Sequence, residues 1–475
     1  MGNSTSSVVH DCLVNAVGGN EDLLAFSNNP LYQISDVHPY NLDIPLTPAA
    51  VTYPETAEHV AGIVKCAAEA DLKVQARSGG HSYANYCLGG VDGAITVDMK
   101  NFQQFSMDES TWVATIGAGT LLKDVASQLH DAGGRAIAHG ISPPIGMGGH
   151  ATIGGLGPAS RMWGSALDHV LEAEVVLANS SIVRASETEN PDLFFALKGA
   201  GAGFGIITEF KCRTEAEPGE AVRYSYSVSF GEHAPMAGLF KDWQAFISKP
   251  ELTRKFATSL IVAPLSMIIS GTYFGTEEEY NALGFDEIFG DNSNSSVVLF
   301  DDWLGLVGNW AEDIFLEIGS SIPAPFYSKS LAIDTPNLMS NDTIDALFEN
   351  FDADPGTPAW FTIFDLTGGA INEVPLDATS YPHRDTLYFM QAYGVGIGGV
   401  SDTTRDFITG LADTVTSGNP DADFRSYAGY VDPALENGQK SYWGSNLPRL
   451  EQIKRAVDPN DVFQNPQSVR PAADS

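Results

Sequence analysis

Apolar and polar positions along the first half of the chain switch repeatedly between a two-residue and a helical rhythm. Residues 51–53 are short and β-prone, Val60, Ile63, Val64 and Ala67 recur at helical spacing, and 73–77 read as extended, a strand–helix–strand opening. A second unit follows, with 112–116 as strand, Thr120 as helix N-cap, 121–130 as helix and Gly133-Gly134 as its stop. Residues 171–177 and 181–185 predict a hairpin around Asn179-Ser180, then a helix over 191–198 and a strand over 206–212. From about Pro218 to about Ser417 the pattern changes to alternating strands such as 222–230 and 258–262, mixed with helices carrying Trp243, Trp303 and Trp310. This reads as a second, α+β domain. Near the end, Arg449, Leu450, Ile453, Lys454 and Val457 form a helix stopped by Asp458-Pro459-Asn460, with Phe463 and Val469 apolar enough to dock back on the first domain.

Between His139 and Gly164 lie seven glycines, Gly140, Gly146, Gly148, Gly149, Gly154, Gly155 and Gly157, a density that argues against a packed helix and for a backbone-lined cofactor surface. Tight turns are the alternative.

At 475 residues the chain exceeds the usual size of one core, so two domains sharing an interdomain cleft are expected. No run of about 18 apolar residues is present to span a bilayer. Sixty acidic against 25 basic residues give a charge of −35, which disfavours nucleic acid and anionic membranes as partners. Cys12, Cys66, Cys87 and Cys212 lack the paired spacings of a metal site. Asn3, Asn179, Asn294 and Asn341 each begin a glycosylation sequon, which leans towards secretion. Met1-Gly2 opens a polar stretch, as if a start codon replaced a cleaved leader, and it also fits a myristoylation pattern.

The common nucleotide folds lack their parts. Gly199, Gly201, Gly203 and Gly205 have Phe204 or Ile206 where a dinucleotide fingerprint needs glycine, and they follow a helix instead of opening one. No Walker lysine, nucleophile elbow or His-Glu-x-x-His occurs. The residues alone stop at a nucleotide-cofactor protein with two conspicuous histidines, His81 and His150.

Arg77-Ser78-Gly79-Gly80-His81-Ser82-Tyr83 resembles the flavin-attachment motif of the berberine-bridge-enzyme-like branch of the vanillyl-alcohol-oxidase superfamily, as found in fungal carbohydrate oxidases. Gly140-Ile-Ser142-Pro143-Pro-Ile145-Gly146-Met-Gly-Gly149-His150 resembles the loop under the isoalloxazine ring. Gly154, Gly155, Gly205, Ile206 and Asn465 fall in the other cofactor-side motifs. Tyr381-Pro-His-Arg384 and Ser441-Tyr442-Trp-Gly-Ser-Asn446 resemble substrate-side motifs. The resemblance implies an α+β fold: a PCMH-type FAD-binding domain of two α+β subdomains, formed by residues 1–215 with a C-terminal return at 421–475, and an α+β substrate domain (216–420) whose antiparallel sheet covers the flavin. It also implies a Cys12–Cys66 disulfide.

By the same resemblance, FAD is covalently attached to His81, since a neutral imidazole nitrogen attacks the activated flavin methyl. Many relatives add a second link through a cysteine at the Ser142 position, so a single link is expected here. Tyr442 aligns with the catalytic base, helped by Lys440 if that segment is extended, and Gln391 with a polar residue on the substrate side. Tyr388 and Tyr393 are core residues or a sugar platform. The implied function is oxidation of a mono- or oligosaccharide at its anomeric carbon, with hydride passing to flavin N5. Electrons then go to O₂, forming peroxide, or to a quinone-like acceptor if Ile145, where relatives with valine tend to be oxidases, blocks O₂. Oxidative tailoring of a secondary-metabolite alcohol or amine, and a secreted flavin-bearing protein with little turnover, are the alternatives.

Overall fold

A computed structural model describes residues 2–229, 231–289, 294–318 and 322–473. Met1, Phe230 at the end of one expected strand, and the Asn3 side chain lie outside the described positions.

Three main sheets organise the chain. In the first, Leu24–Phe26 pairs antiparallel with Ala50–Thr52, which runs parallel to Ile95–Asp98 and, beyond it, Val74–Arg77. The crossover helix Ala57–Glu69 is capped by Thr56, whose side chain accepts from His59 N, and it buries Val60, Ile63, Val64 and Ala67 as the apolar spacing predicts. Cys66 on this helix is bonded to Cys12 on the helix Gly2–Ala16, with Cα atoms 5.8 Å apart.

The second sheet orders Phe105–Asp108, Val113–Gly117, Ile206–Arg213, Val170–Val176 and Ile182–Ser186, all antiparallel, and contains the expected hairpin. Two expectations fail nearby. Thr120 does not cap its helix, which is Leu122–Asp131 with Leu121 at the cap position. The Thr120 carbonyl instead accepts from Met147 N at 2.8 Å, which ties the strand end to the glycine-rich segment. That segment also contains a helix, Met147–Ile153. Its glycines are tolerated because a Cβ on Gly148 would lie 2.7 Å from the Ala118 carbonyl, so close packing offsets the backbone entropy that glycine costs a helix.

The third sheet has seven antiparallel strands in the order Asn294–Phe300, Ala221–Val228, Ser266–Tyr273, Phe256–Ala263, Trp360–Leu366, Thr386–Val395 and Phe326–Asp334. The helices Ala237–Ile247, Asn341–Asn350 and Asp402–Gly418 cover one face and bury Phe240, Trp243, Phe348 and Leu411. Its other face looks onto the glycine-rich segment.

Buried cations join the two halves. Arg384 makes a two-pronged ion pair with Asp168, at 2.8 and 2.9 Å, with both side chains buried. Arg161 donates to the carbonyls of Phe256 (2.8 Å), Thr367 and Thr253. Lys329 bonds Asp432 at 2.7 Å. The last helix, Leu447–Val457, is closed by the fully buried pair Lys454–Asp458 at 2.6 Å, and Phe463 and Val469 dock beside it, each 1% exposed.

Candidate active site

A cavity of about 480 Å³ lies between the open face of the seven-stranded sheet and the glycine-rich loops. Ser78, Gly79, Gly80, His81, Ser82 and Tyr83 form one wall, in the turn that leaves the strand Val74–Arg77. Ser78 Oγ donates to Ala118 O at 2.7 Å, and Ser82 Oγ accepts from Tyr86 N at 3.0 Å. A Cβ on Gly79 would fall 2.3 Å from Gly146 N, and one on Gly146 would fall 1.9 Å from Ser78 Oγ. These two loops therefore touch backbone to backbone, as only glycine permits.

The His81 ring packs on Tyr40 with centroids 4.6 Å apart, and burial lowers its pKa to about 4. At neutral pH it carries a free nitrogen lone pair. Arg77 departs from its expected cofactor-side place. Its guanidinium turns away from the cavity into an ion pair with Asp98 (2.6 Å) and onto the Asp36 and Val37 carbonyls, so it anchors the strand end from which the histidine turn springs.

The opposite loop brings Ser142, Ile145, Gly146, Gly149 and His150 to the cavity wall. Pro143 is not part of that wall, and its carbonyl accepts from Lys123 N. His150 Nε2 accepts from Gly140 N at 2.9 Å, and burial, then His139, depresses its pKa to about 3. It is a neutral strut for the loop. Gly154 and Gly155 lie behind the wall, where Gly155 N donates to the Tyr427 hydroxyl at 2.9 Å. Gly205 and Asn465 line the cavity, whereas Ile206 is core, 1% exposed. The space beside Gly149 is open, and Gly203 meets nothing nearer than Ser468 at 3.8 Å, so bare backbone faces the cavity as a flat cofactor requires. With the neutral imidazole, these surfaces fit FAD.

Tyr442 is in the wall, but its hydroxyl is occupied: it accepts from Asp432 N at 2.9 Å and faces Gln467 Oε1 at 3.2 Å and Asp432 O at 3.3 Å. Burial pushes the phenol far above its ordinary pKa. No cation relieves this, because the segment is the helix Gly438–Trp443 instead of an extended strand, and Lys440 points to solvent beside Asp423. These contacts fit a supporting residue better than the expected base, so that role for Tyr442 is carried as a proposal to be tested. Tyr388 and Tyr393 are core, the first bonded to Gln244 and the second stacked on Phe361 and Phe326. Of the Tyr381-Pro-His-Arg384 motif, no residue reaches the cavity.

Two residues that the motifs did not flag, Tyr430 and Asp365, also line the cavity. Tyr430 sits with its hydroxyl 3.4 Å from Asp365 Oδ2, and its ring stacks on Tyr83 at 6.0 Å. Asp365 is on the strand Trp360–Leu366, open to the cavity, and burial raises its carboxyl to about 6. Gln391, on the neighbouring strand Thr386–Val395, donates from Nε2 to the Tyr83 hydroxyl at 2.8 Å. One signal was available: Asp365 is the one charged residue in a largely apolar run, Trp-Phe-Thr-Ile-Phe-Asp-Leu.

Family models for the FAD binding domain and for "Berberine and berberine like" match residues 48–186 and 426–470. The FAD-linked oxidoreductase sorD of Penicillium rubens is 41% identical across 98% of this chain and 99% of that protein. The chain belongs to the berberine-bridge-enzyme-like FAD-linked oxidoreductases. A xylooligosaccharide oxidase from Myceliophthora thermophila C1, in complex with xylobiose, superposes with a TM-score of 0.89 at 32% identity, covering 98% of this chain and 100% of that one. A glucooligosaccharide oxidase from Acremonium strictum, with 6-S-cysteinyl, 8α-N1-histidyl FAD, gives a TM-score of 0.87 at 31% identity, covering 98% and 100%. The fold is thus the PCMH-type FAD-binding fold of the family, FAD is the cofactor, and the protein is an oxidoreductase acting on CH–OH donors. Among the described residues no helix is long and apolar enough to cross a membrane.

Proposed function

We propose that this protein oxidises a CH–OH carbon of a mono- or oligosaccharide, the anomeric carbon giving a lactone, with FAD attached through His81 alone. The reading divides the chain into FAD-binding segments 1–215 and 421–475 around a substrate domain, 216–420, and takes the protein to be secreted, for which the Cys12–Cys66 disulfide is the support. The observation that carries it is the pairing of Tyr430 with Asp365 and of Tyr83 with Gln391 in the same cavity wall as His81.

When bound, FAD accepts the hydride that leaves the substrate carbon. Tyr430 holds the substrate hydroxyl and takes its proton as its own moves to Asp365, so the carboxylate supplies the help that an isolated phenol lacks. Tyr83 and Gln391 fix each other, and the remaining amide groups of Gln391 are free to orient a second substrate hydroxyl. His150 keeps the loop that carries Ser142 and Ile145 in place through Gly140.

Anaerobic mixing with a panel of sugars is expected to bleach the visible flavin band. A panel in which only apolar alcohols or amines bleach it would favour secondary-metabolite tailoring, the reading to which Ile261, Ile363 and Phe389 in the cavity wall lend weight. No bleaching by either class would leave the low-turnover alternative.

The pH dependence follows from Asp365. Its carboxyl must be ionised to receive the Tyr430 proton, and its pKa is raised to about 6, so kcat/KM rises with pH through about 6 and is lower below it. Asp365→Asn is expected to lower the plateau and abolish that limb. A limb that persists in the variant assigns it to another group.

Ile145 lines the cavity, and in a close-packed wall its extra methylene relative to valine narrows the approach of O₂. Slow reoxidation by O₂, faster turnover with a quinone or dye, and a strong gain in the Ile145→Val variant are the expected stopped-flow results. Fast native reoxidation that the substitution leaves unchanged returns Ile145 to ordinary packing.

A further inference from the structure

The outer strand Asn294–Phe300 is unlike the rest of the surface. Among the described residues it pairs with Ala221–Val228 alone, from Asn294 opposite Ser227 to Phe300 opposite Ala221, so its other side presents open backbone N–H and C=O groups there. Its first six residues are exposed, with Val297 at 43%, Val298 at 46% and Leu299 at 58%. Asn-Ser-Ser-Val-Val-Leu-Phe contains no charge, in a chain with 60 acidic and 25 basic residues. The opposite edge strand, Phe326–Asp334, is mostly buried and carries Lys329. An uncharged, β-branched, exposed edge is a template for pairing with a second chain, and natural sheets blunt such edges with charge, proline, bulges or cover. None of the first three occurs over these seven residues.

What the strand does have is a sequon at its head, Asn294-Ser295-Ser296, with Asn294 exposed. We propose that Asn294 carries an N-linked glycan whose task is to cover this edge and keep the protein monomeric. Asn294, Ser296 and Val298 alternate to one face of the strand and Ser295, Val297 and Leu299 to the other, so a branched sugar at the first residue flanks both rows and obstructs an incoming strand. The donor is a lipid-linked oligosaccharide pyrophosphate of the secretory route. A bond forms between Asn294 Nδ2 and the anomeric carbon, the bond from that carbon to phosphate oxygen breaks, and the amide nitrogen releases one proton. Asn179, which accepts from Ser181 N and Oγ, leads into the edge strand Ile182–Ser186, but that edge is charged by Arg184, and Asn341 starts the helix Asn341–Asn350 and borders no edge.

The test uses the full chain secreted from a yeast host, with glycosidase treatment in heavy-oxygen water and peptide mapping to read occupancy, and sedimentation velocity to read association. Bound flavin, read by visible absorbance, checks folding of every variant. Asn294 is expected to be occupied. Asn294→Gln and Ser296→Ala should both lose the sugar and show roughly tenfold more fast-sedimenting material, while Asn179→Gln and Asn341→Gln sediment as the parent does. Adding Val298→Lys to Asn294→Gln should restore the monomer. An unmodified Asn294 in the secreted protein overturns the proposal. So does a folded, sugar-free variant that stays monomeric, a glycosylated parent that already dimerises, or a lysine that fails to rescue.

Discussion

Tyr430→Phe should retain its flavin and slow anaerobic flavin reduction by roughly 10²–10⁴-fold, the usual contribution of a positioned proton acceptor. The phenyl ring keeps the stack on Tyr83, 6.0 Å away, so the cavity wall stands and only the proton route to Asp365 is lost. The contrast is Tyr442→Phe. Its hydroxyl is committed to the Asp432 backbone and to Gln467, so removing it loosens a support without touching the reacting atoms, and the reduction rate is expected to fall by less than about tenfold. Stopped-flow absorbance with any sugar that bleaches the flavin compares the two variants directly. Should the order be reversed, Tyr442 regains the role of base.

The second large effect concerns the flavin link. Acid-precipitated parent protein should keep yellow, fluorescent flavin in the pellet, whereas His81→Ala should release all of it to the supernatant. His81 is uncharged at neutral pH because burial holds its pKa at about 4, and the attacking nitrogen of a flavin link must be neutral. Ser142 offers no thiolate for a second bond, so proteolysis of the parent should give one flavopeptide containing residues 77–83. A flavopeptide cross-linked to a second segment contradicts the single link, and flavin in the parent supernatant contradicts the link altogether.

The sequence disclosed the scaffold well where local rules act alone. The helix Ala57–Glu69, the hairpin at Asn179-Ser180 and the helix stop at Asp458 follow from spacing and turn chemistry, and each formed within a few residues of expectation, whereas the Thr56 cap was not read. The Cys12–Cys66 bond came from resemblance, and the structure brings the two helices together to make it. The proposed proton-accepting pair was not visible, because Asp365 and Tyr430 are 65 residues apart and meet only when the seven-stranded sheet faces the returning C-terminal segment. The expected help from Lys440 fails for a related reason: an alignment position says nothing of what a hydroxyl is bonded to, and the helix Gly438–Trp443 turned Lys440 to solvent. Arg77 misled because its motif spans a strand end, where one residue faces the ligand and its neighbour faces the core.

The buried guanidinium groups between the halves bear on how the enzyme can move. Swinging the seven-stranded sheet away from the glycine-rich loops would part Arg384 from Asp168 in the interior, which loses a buried, two-pronged ion pair. Arg161 would lose its carbonyl partners in the same motion, and Lys329 its hold on Asp432, two residues from Tyr430. Hinged opening is therefore expected to be disfavoured against passage through the mouth of the cavity. On the proposed mechanism, substrate and product are then expected to pass through the mouth of a fixed vessel, with the alignment of Tyr430 and Asp365 set at folding instead of rebuilt at each turnover.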